Sequence, residues 1–599
     1  MPTNIVFTDY NHTANTSRRC LSITYRQAWG ITEPCLMKSA LLIILLHVPC
    51  LYSQGRVDWS NSFWQRIHEL GLNTPSHDYN MMGDIAIPTP SCAYVNVIGA
   101  GRMPGYKGDT LRCRMEVYDG AGNYFRKRVI MDAQGNASLT FPKKNVKVDF
   151  CDDEWVGDAT PTITIGDWVG QDGFHLKAYY ADYFRGVAVS GYRLYELMAA
   201  DTGRAWTRSD GLAKNEPKAL CHPDGFPCAV YLNGGFYGIY SWQLKKHRSN
   251  MAQKKNDPRH IHLDGRISDA TFWDGDVDWA AFEVRNPKEV TDETRQCILA
   301  LSRVCGDLRG MESRGMAPAD IRAAFSERFD VTSLVDYACL HYLTANYDGF
   351  AKNWQWFTYD GVKWFVTPYD LDCTFGNVDT GDVLMPATQT GLDPYWVLYT
   401  GGPMYWLSRY FMDDIRARYC QLRRDGVIGS EKVKGFIHDW YERVGECNYA
   451  EEWNRWRDSK CIREPQYAWC WKPVGEWVNY HELPDWVPSV VYKKGDICRL
   501  DMCEWVATAD NEGVKPYVRL GYVDSMECIR EWIDNRFQLV DSYLGYAVDL
   551  GFDRFTMGAD HSGECTNDQT TIYDLQGRRV QTPQRGGLYI RGGRKFIEH

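Results

Sequence analysis

The feature that most limits the fold is a change of hydrophobic period along a single chain. From Ala93 to Phe150, apolar and polar residues alternate in "CAYVNVIGA", "TLRCRMEVYDGAGNYFRKRVIM" and "NVKVDF" around glycine-containing turns. Alternation broken by turn residues specifies an antiparallel sheet. "GFHLKAYY" reads as a further strand, and "CAVYLNGGFYGIYSW" as a hairpin turning at Asn233-Gly234. "ADYFRGVAVSGYRLYELMAAD" carries Val187, Leu194, Leu197 and Met198 at helical spacing. Beyond about residue 290 the period becomes helical, in "DETRQCILALSRVCGDL", "APADIRAAFSERF", "VTSLVDYACLHYLTANYD", "MYWLSRYFMDDIRARYCQL" and "EKVKGFIHDWYERV". The expected fold class is α+β, with a strand-rich lobe at 90–289 after a lead-in at 54–89, then a mostly helical lobe at 290–446. A Trp-, Cys-, Pro- and Gly-rich stretch at 447–520 reads as an insert, a helix returns at 521–552, and 553–599 reads as short strands.

At 599 residues two or three domains are expected. A net charge of -10 argues against nonspecific nucleic-acid or anionic-membrane binding. "LMKSALLIILLHVPCLYSQG" has a Met-Lys start, a leucine-rich run too short to span a bilayer, then small and polar residues. It reads as a secretory signal starting at Met37 and cleaved near Ser53, with 1–36 an upstream extension and Cys50 an alternative lipid anchor. The expectation is a secreted, periplasmic or surface protein without a membrane span in its mature part. Twenty cysteines suit an oxidising compartment. Cys447, Cys461, Cys470, Cys498, Cys503 and Cys528 crowd into one region and are read either as disulfide partners or as buried free thiols.

The chemistry concentrates in "NYDGFAKNWQWFTYDGVKWFVTPYDLDCTFG", residues 346–376. Asp360-Gly361 between two β-rich runs predicts a two-residue hairpin, which sets Asn353 opposite Pro368. Asp348 and Asn353 then arrive at the end from which Asp370 and Asp372 depart. Such a group of hard oxygens suits Mg²⁺, which keeps waters and shares substrate phosphates. The spacing Asp348-x-x-x-x-Asn353 equals that of a protein-kinase catalytic loop. The bland reading, turn caps and surface acids, remains open on these residues alone.

In order along the chain stand "QGNASL", "HLKAYYADYFRG", "NGGFYGIY", "NYDGFAKN" and "PYDLDCTFG". This succession resembles the CotH kinase family, secreted or spore-associated relatives of protein kinases, over roughly residues 90 to 550. The resemblance implies a two-lobed atypical protein-kinase-like fold. It also implies transfer of the ATP γ-phosphoryl group to Ser/Thr hydroxyls of a protein substrate, with Mg²⁺ or Mn²⁺. Lys177 would meet the nucleotide phosphates, Asp348 would orient the acceptor hydroxyl, and Asn353, Asp370 and Asp372 would hold the metal, Asp370 foremost. Gln134, Gly135, Asn136 and Ser138 would form a loop near the phosphates, and Asp182 with Arg185 an ion pair or helix start. Taken without the family, Lys177 is a strand lysine and the loop a Gly-Asn turn. The chain departs from the family in two places: Gln134 stands where Arg is usual, and "SWQLKKHR" lacks a Glu that relatives commonly carry. The second departure would deprive Lys177 of its orienter, so a degenerate pseudokinase scaffold that binds surface glycans is the second reading. A glycoside hydrolase using Asp348 and Asp370 is a third, disfavoured because acids beside an Asn suit a metal better than a sugar ring.

Residues 485–516 resemble a small chitin-type carbohydrate-binding module, which implies that Trp486, Tyr492 and Trp505 stack on sugar. The alternative is a small β insert with core tryptophans and a Cys498–Cys503 crosslink. The tail "TIYDLQGRRV…GGLYIRGGRK" resembles the C-terminal module of secreted Bacteroidota proteins, which implies export or surface attachment.

Overall fold

The computed structural model describes residues 62–79, 85–151, 162–182, 184–208, 216, 218–265, 271–346, 349, 352–377, 387, 402–456, 465–467, 470–474, 483–500, 503–516, 518–520 and 525–546, with short strands at 572–573, 588–591 and 594–597. The expected signal at 37–53, Asp348 and most of the tail lie outside the described residues. By internal contacts the chain divides at Trp64/Gln65. The described residues of the first unit belong to helix α1 (Ser62–Glu69), and all that follows concerns the second.

The alternating segments form the strands their period calls for. They are β1 (His77–Asp78), β2 (Ile85–Ile87), β3 (Ala93–Ile98), β4 (Leu111–Tyr118), β5 (Asn123–Gln134), β6 (Asn145–Cys151), β7 (Ile163–Ile165), β8 (Gly173–Lys177), β9 (Gly225–Leu232) and β10 (Gly235–Gln243). The main sheet runs β1-β5-β4-β3-β9-β10-β8-β6, and β5 also pairs with β6, which closes seven strands into a ring. Closure rests on the length of β5: Tyr124 to Met131 pair with β4, while Arg128 to Gln134 pair with β6. Inside the ring Val95, Met115, Phe125, Val129, Val148, Phe174, Leu176, Phe226 and Trp242 form one apolar core, with Phe174 stacked on Trp242 at 3.5 Å. The β9–β10 hairpin turns at Asn233 (φ 48°) and Gly234 (φ 85°), the two positive angles a tight hairpin of this kind requires.

A second apolar core gathers helices α2 (Val187–Asp201), α3 (Asp292–Ser313), α4 (Pro318–Arg328), α5 (Val331–Thr344), α6 (Pro403–Tyr410), α7 (Met412–Arg424), α8 (Ser430–Val444) and, beyond α9 (Glu446–Arg455), α10 (Ser525–Leu544). Thr291 caps α3 and Asp330 caps α5 by accepting from the backbone N–H three residues on. Helix α2 packs on α5 and α8, so it serves the helical core although strands precede and follow it in sequence. The run "MYWLSRYFMDDIRARYCQL" is two helices, because the chain leaves helical angles at Phe411 (φ -128°).

A four-stranded sheet lies against the helices in the order β12-β11-β13-β14, from β11 (His262–Gly265), β12 (Phe282–Asn286), β13 (Trp354–Thr358) and β14 (Trp364–Pro368). The α+β class therefore holds. The β13–β14 connection corrects the expected two-residue turn. It is five residues long, with Thr358 paired to Trp364 and the Asp360 carboxylate accepting from the N–H groups of Val362 and Lys363. The register moves by one, so Trp354 faces Pro368 and Asn353 comes level with Tyr369.

In the Trp- and Cys-rich region, Tyr492 (4% exposed) and Trp505 (2%) are buried with Cys470, Trp471 and Cys498, and Trp486 packs against them. Tyr492 and Trp505 are thus core residues and present no flat face for a sugar, which corrects their assignment as stacking aromatics. Every described cysteine is a free thiol, Cys498 included, so neither the crosslink to Cys503 nor any other expected disulfide forms among the described residues.

His262 and His341 are wholly buried, and burial pushes them down to about 4 and about 3. Burial and four neighbouring cations hold His175 well below its ordinary value. Their neutral forms belong to the fold, so the unfolded chain takes up more protons as pH falls below about 6.5. Asp336, pushed up to about 6 by burial, and Asp182, also raised by burial, oppose this, while His260, lowered by partial burial, adds to it. Thermal melting should therefore show stability falling by a few kcal/mol between about pH 6.5 and pH 4, and a flat profile there would contradict the burial of these imidazoles.

Candidate functional site

Strand β8 is buried along its whole length and delivers Lys177 at its end, where Lys177 pairs with Ser241 of β10. The Lys177 side chain is only 3% exposed, and its Nζ lies 3.3 Å from Oδ1 of Asp370, whose side chain is 32% exposed. Burial works against the lysine's charge, but the neighbouring acids, Asp370 foremost, outweigh it and hold the ammonium above the ordinary lysine range. The loss expected from the missing Glu therefore does not leave Lys177 without an orienter: Asp370 supplies one.

Asp370 is positioned by what happens after β14. Tyr369, Leu371 and Cys373 are buried while Asp370 and Asp372 are partly exposed, in a turn that has left strand geometry. Asp370 sits at φ 54° and Phe375 at φ 54°, left-handed angles that non-glycine residues adopt only when held there. The holding contacts are local. Leu371 seats on Gly191 of α2, where a Cβ would stand 2.9 Å from its Cδ1. Phe375 donates its N–H to the Thr344 carbonyl at 2.7 Å, the Thr374 hydroxyl donates to Leu371, and the Asn377 amide donates to the Asp372 carbonyl. Asn353, at φ 60°, accepts from the Tyr369 N–H at 3.1 Å, which brings its backbone beside Asp370.

The loop after β5 completes one wall. Ser138, Asn145, Tyr179, Asp182, Asp372 and Asn377 line a narrow crevice together with Lys143. Gly135, at φ 113°, allows Ser138 to fold back against it, since a Cβ there would meet Oγ of Ser138 at 2.0 Å. Asn145 donates to Ser138 and accepts from the N–H of Ala178, tying this loop to the residue after Lys177. Gln134 donates to the Tyr369 hydroxyl at 3.4 Å. Asn136 begins the short 3-10 turn Ala137–Thr140 and is exposed.

Arg185 donates to the backbone carbonyl of Asp182 at 2.7 Å, and its charge favours the ionised form of the Asp182 carboxyl. Asp182 accepts from the N–H groups of Phe184, Gly186 and Val187 and so opens α2. Arg185 (φ 60°) donates to Glu452 of α9 at 2.8 Å, and Lys143 donates to the same oxygen at 2.7 Å, all three side chains being fully buried. The two cations hold Glu452 below the usual carboxylate range despite its burial. The pattern reading missed Glu452 because α9 fell inside the stretch taken as an insert. It passed over Tyr369 and Lys246, which lie within "PYDLDCTFG" and "SWQLKKHR", because neither fills a position whose residue type the pattern requires, yet the Lys246 ammonium sits 3.6 Å from the Tyr369 ring centre.

A family described as "CotH kinase protein" matches residues 131–485, more than half of the chain. The chain belongs to the CotH kinase family. No curated protein matches it. The family match starts inside β5, three residues before Gln134, and takes in Lys177, Asn353, Asp370 and Asp372, whereas Trp486, Tyr492 and Trp505 fall beyond its end. As a CotH kinase the chain is expected to use ATP and a divalent metal, and the side chains fit that pairing. Two partly exposed carboxylates with nearby amide oxygens form an open, hard-oxygen set, and a charged lysine stands beside it. Among the described residues no three His, Cys, Asp or Glu side chains form a closed metal cage.

Asp348 itself lies outside the described residues, but its flanks are fixed. Asn346 is fully buried, and Gly349 accepts from the Tyr337 hydroxyl and rests on the His341 ring. A Cβ on residue 349 would stand 2.2 Å from Cε1 of His341. Gly349→Ala should cost about 1–3 kcal/mol by overpacking, read by chemical denaturation. Glu452→Ala, which strands two buried cations, should cost about 3–5 kcal/mol in the same assay.

Proposed function

We propose that this CotH kinase is an exported, metal-dependent protein kinase that transfers the γ-phosphoryl group of ATP to Ser/Thr hydroxyls of extracytoplasmic proteins. The observation that carries this reading is the buried Lys177 ammonium 3.3 Å from the half-open carboxylate of Asp370. A lysine strand facing a metal-binding Asp is the minimal electrostatic apparatus of phosphoryl transfer, in which the protein mostly positions groups and neutralises charge. Lys177 would bind and orient the nucleotide phosphates, with Gly135 and Ser138 on the adjoining wall of the crevice. Asp370, Asp372 and the amide oxygen of Asn353 would hold the divalent cation, which when bound spreads the negative charge of the phosphate oxygens. Asp348, from the motif spacing, would orient the acceptor hydroxyl and take its proton. Export rests on the Met37 signal and the tail resemblance. Glycan binding on a degenerate scaffold finds no support, since two of its three named aromatics are buried.

Incubation of the protein with labelled ATP and Mn²⁺ should give phosphate on protein Ser/Thr, and ATP with metal should raise the melting temperature. Asp370→Ala should lower transfer by roughly 100-fold or more, the scale of single preorganised charge-stabilising groups, with circular dichroism unchanged. Transfer that survives Asp370→Ala would remove this carboxylate from the mechanism.

A further inference from the structure

Four cations, one buried and three half-buried, crowd behind the site. Lys177, Lys245, Lys246 and Arg285 all press electrostatically on the buried His175. Their carboxylate partners are unevenly shared. Lys245 lies between Asp149 (2.7 Å) and Asp172 (3.1 Å), and Arg285 between Glu283 (3.1 Å) and Asp264 (3.4 Å). Lys177 has Asp370, and Lys246 has Asp264 at 2.5 Å, the same acid that Arg285 reaches and to which Gln355 donates at 2.6 Å. Of these four cations around His175, Lys177 and Lys246 are the two whose ion pair is with a single carboxylate.

Those two lysines meet on one ring. The Lys246 Nζ lies 3.6 Å and the Lys177 Nζ 5.3 Å from the centre of Tyr369, the residue before Asp370. Gln134, at the start of the loop beside the crevice, donates to the hydroxyl of the same tyrosine. Bringing two ammonium groups together in a site of low exposure is unfavourable unless something anionic offsets them. An aromatic face offsets part of the charge, since its quadrupole attracts cations. Asp264 keeps donors in Arg285 and Gln355 even if Lys246 turns away, so releasing Lys246 strands no buried carboxylate.

We propose that Lys246 is a second phosphate-binding cation, paired with Lys177 across Tyr369 and recognising the polyphosphate of the nucleotide. It extends the kinase reading above by giving the nucleotide's charge two fixed cations rather than one. Tyr369 spaces the two ammonium groups and Asp264 holds Lys246 ready. As a compact point charge, an ammonium suits a non-bidentate phosphate contact of this kind.

The test uses the full chain and three probes: ATP, adenosine and inorganic tripolyphosphate, each read as a melting shift, with the KM for ATP measured in parallel. Lys246→Met should raise the KM for ATP about tenfold while changing kcat by less than about twofold, the signature of lost uniform binding. It should abolish most of the tripolyphosphate shift and leave the adenosine shift intact. Lys246→Arg, which keeps the charge, should restore the tripolyphosphate shift, and Lys246→Gln serves in place of Met if that variant does not fold. A full tripolyphosphate shift in the Met or Gln variant, or equal weakening of adenosine, overturns the proposal and leaves Lys246 a packing residue. Wild-type protein that responds to tripolyphosphate but not to ATP would overturn the kinase reading and keep the cation pair. No response to either would overturn both.

Discussion

A lysine ammonium with almost no access to water keeps its charge only if a carboxylate stands beside it. In this chain that requirement links the two halves of the fold. Lys177 comes from the ring of strands, Asp370 from the turn that follows β14, and their 3.3 Å contact demands that both cores form and that their elements meet in one register. The left-handed angles at Asp370, Asn353 and Phe375 show how much local backbone the arrangement holds away from its preferred regions. The stapling of 369–377 onto α2 and α5 offsets that strain.

Much of the fold was legible in the residues. Strand and helix periods located most elements, and Asn233-Gly234 announced its hairpin because both residue types accept positive angles easily. What could not be read has physical causes. Asp360 suggested a tight turn, but its carboxylate organises a five-residue loop by accepting from Val362 and Lys363, a side-chain role that dipeptide patterns do not distinguish. Strands β11 and β12 are too short to carry a periodic signal, and β13 becomes their partner only through long-range pairing. Tryptophans in the 447–520 region looked like a sugar surface because composition does not say which face an indole presents. Trp505 faces inward.

The site divides in the same way. Lys177, Asp370 and Asp372 were found by motif, and the structure sets Lys177 against Asp370 and places Asp372 with Ser138 among the residues lining the crevice. Glu452, Tyr369 and Lys246 act through contacts between segments far apart in sequence, and nothing local marks them. Glu452 is the clearest case: one carboxylate, from a helix more than 250 residues away from Arg185, balances Arg185 and Lys143 together. Lys177 likewise takes its carboxylate from a segment nearly 200 residues further along the chain.

The ring closed by β5 also bears on how a ligand gets in. A hoop in which each strand is clasped by two neighbours resists opening like a hinge, because any such motion would break a full ladder of backbone bonds at once. A ligand then meets a site whose two sides are both set before it arrives: the ring that presents Lys177, and a turn pinned by the Thr344 carbonyl and by the seat of Leu371 on Gly191.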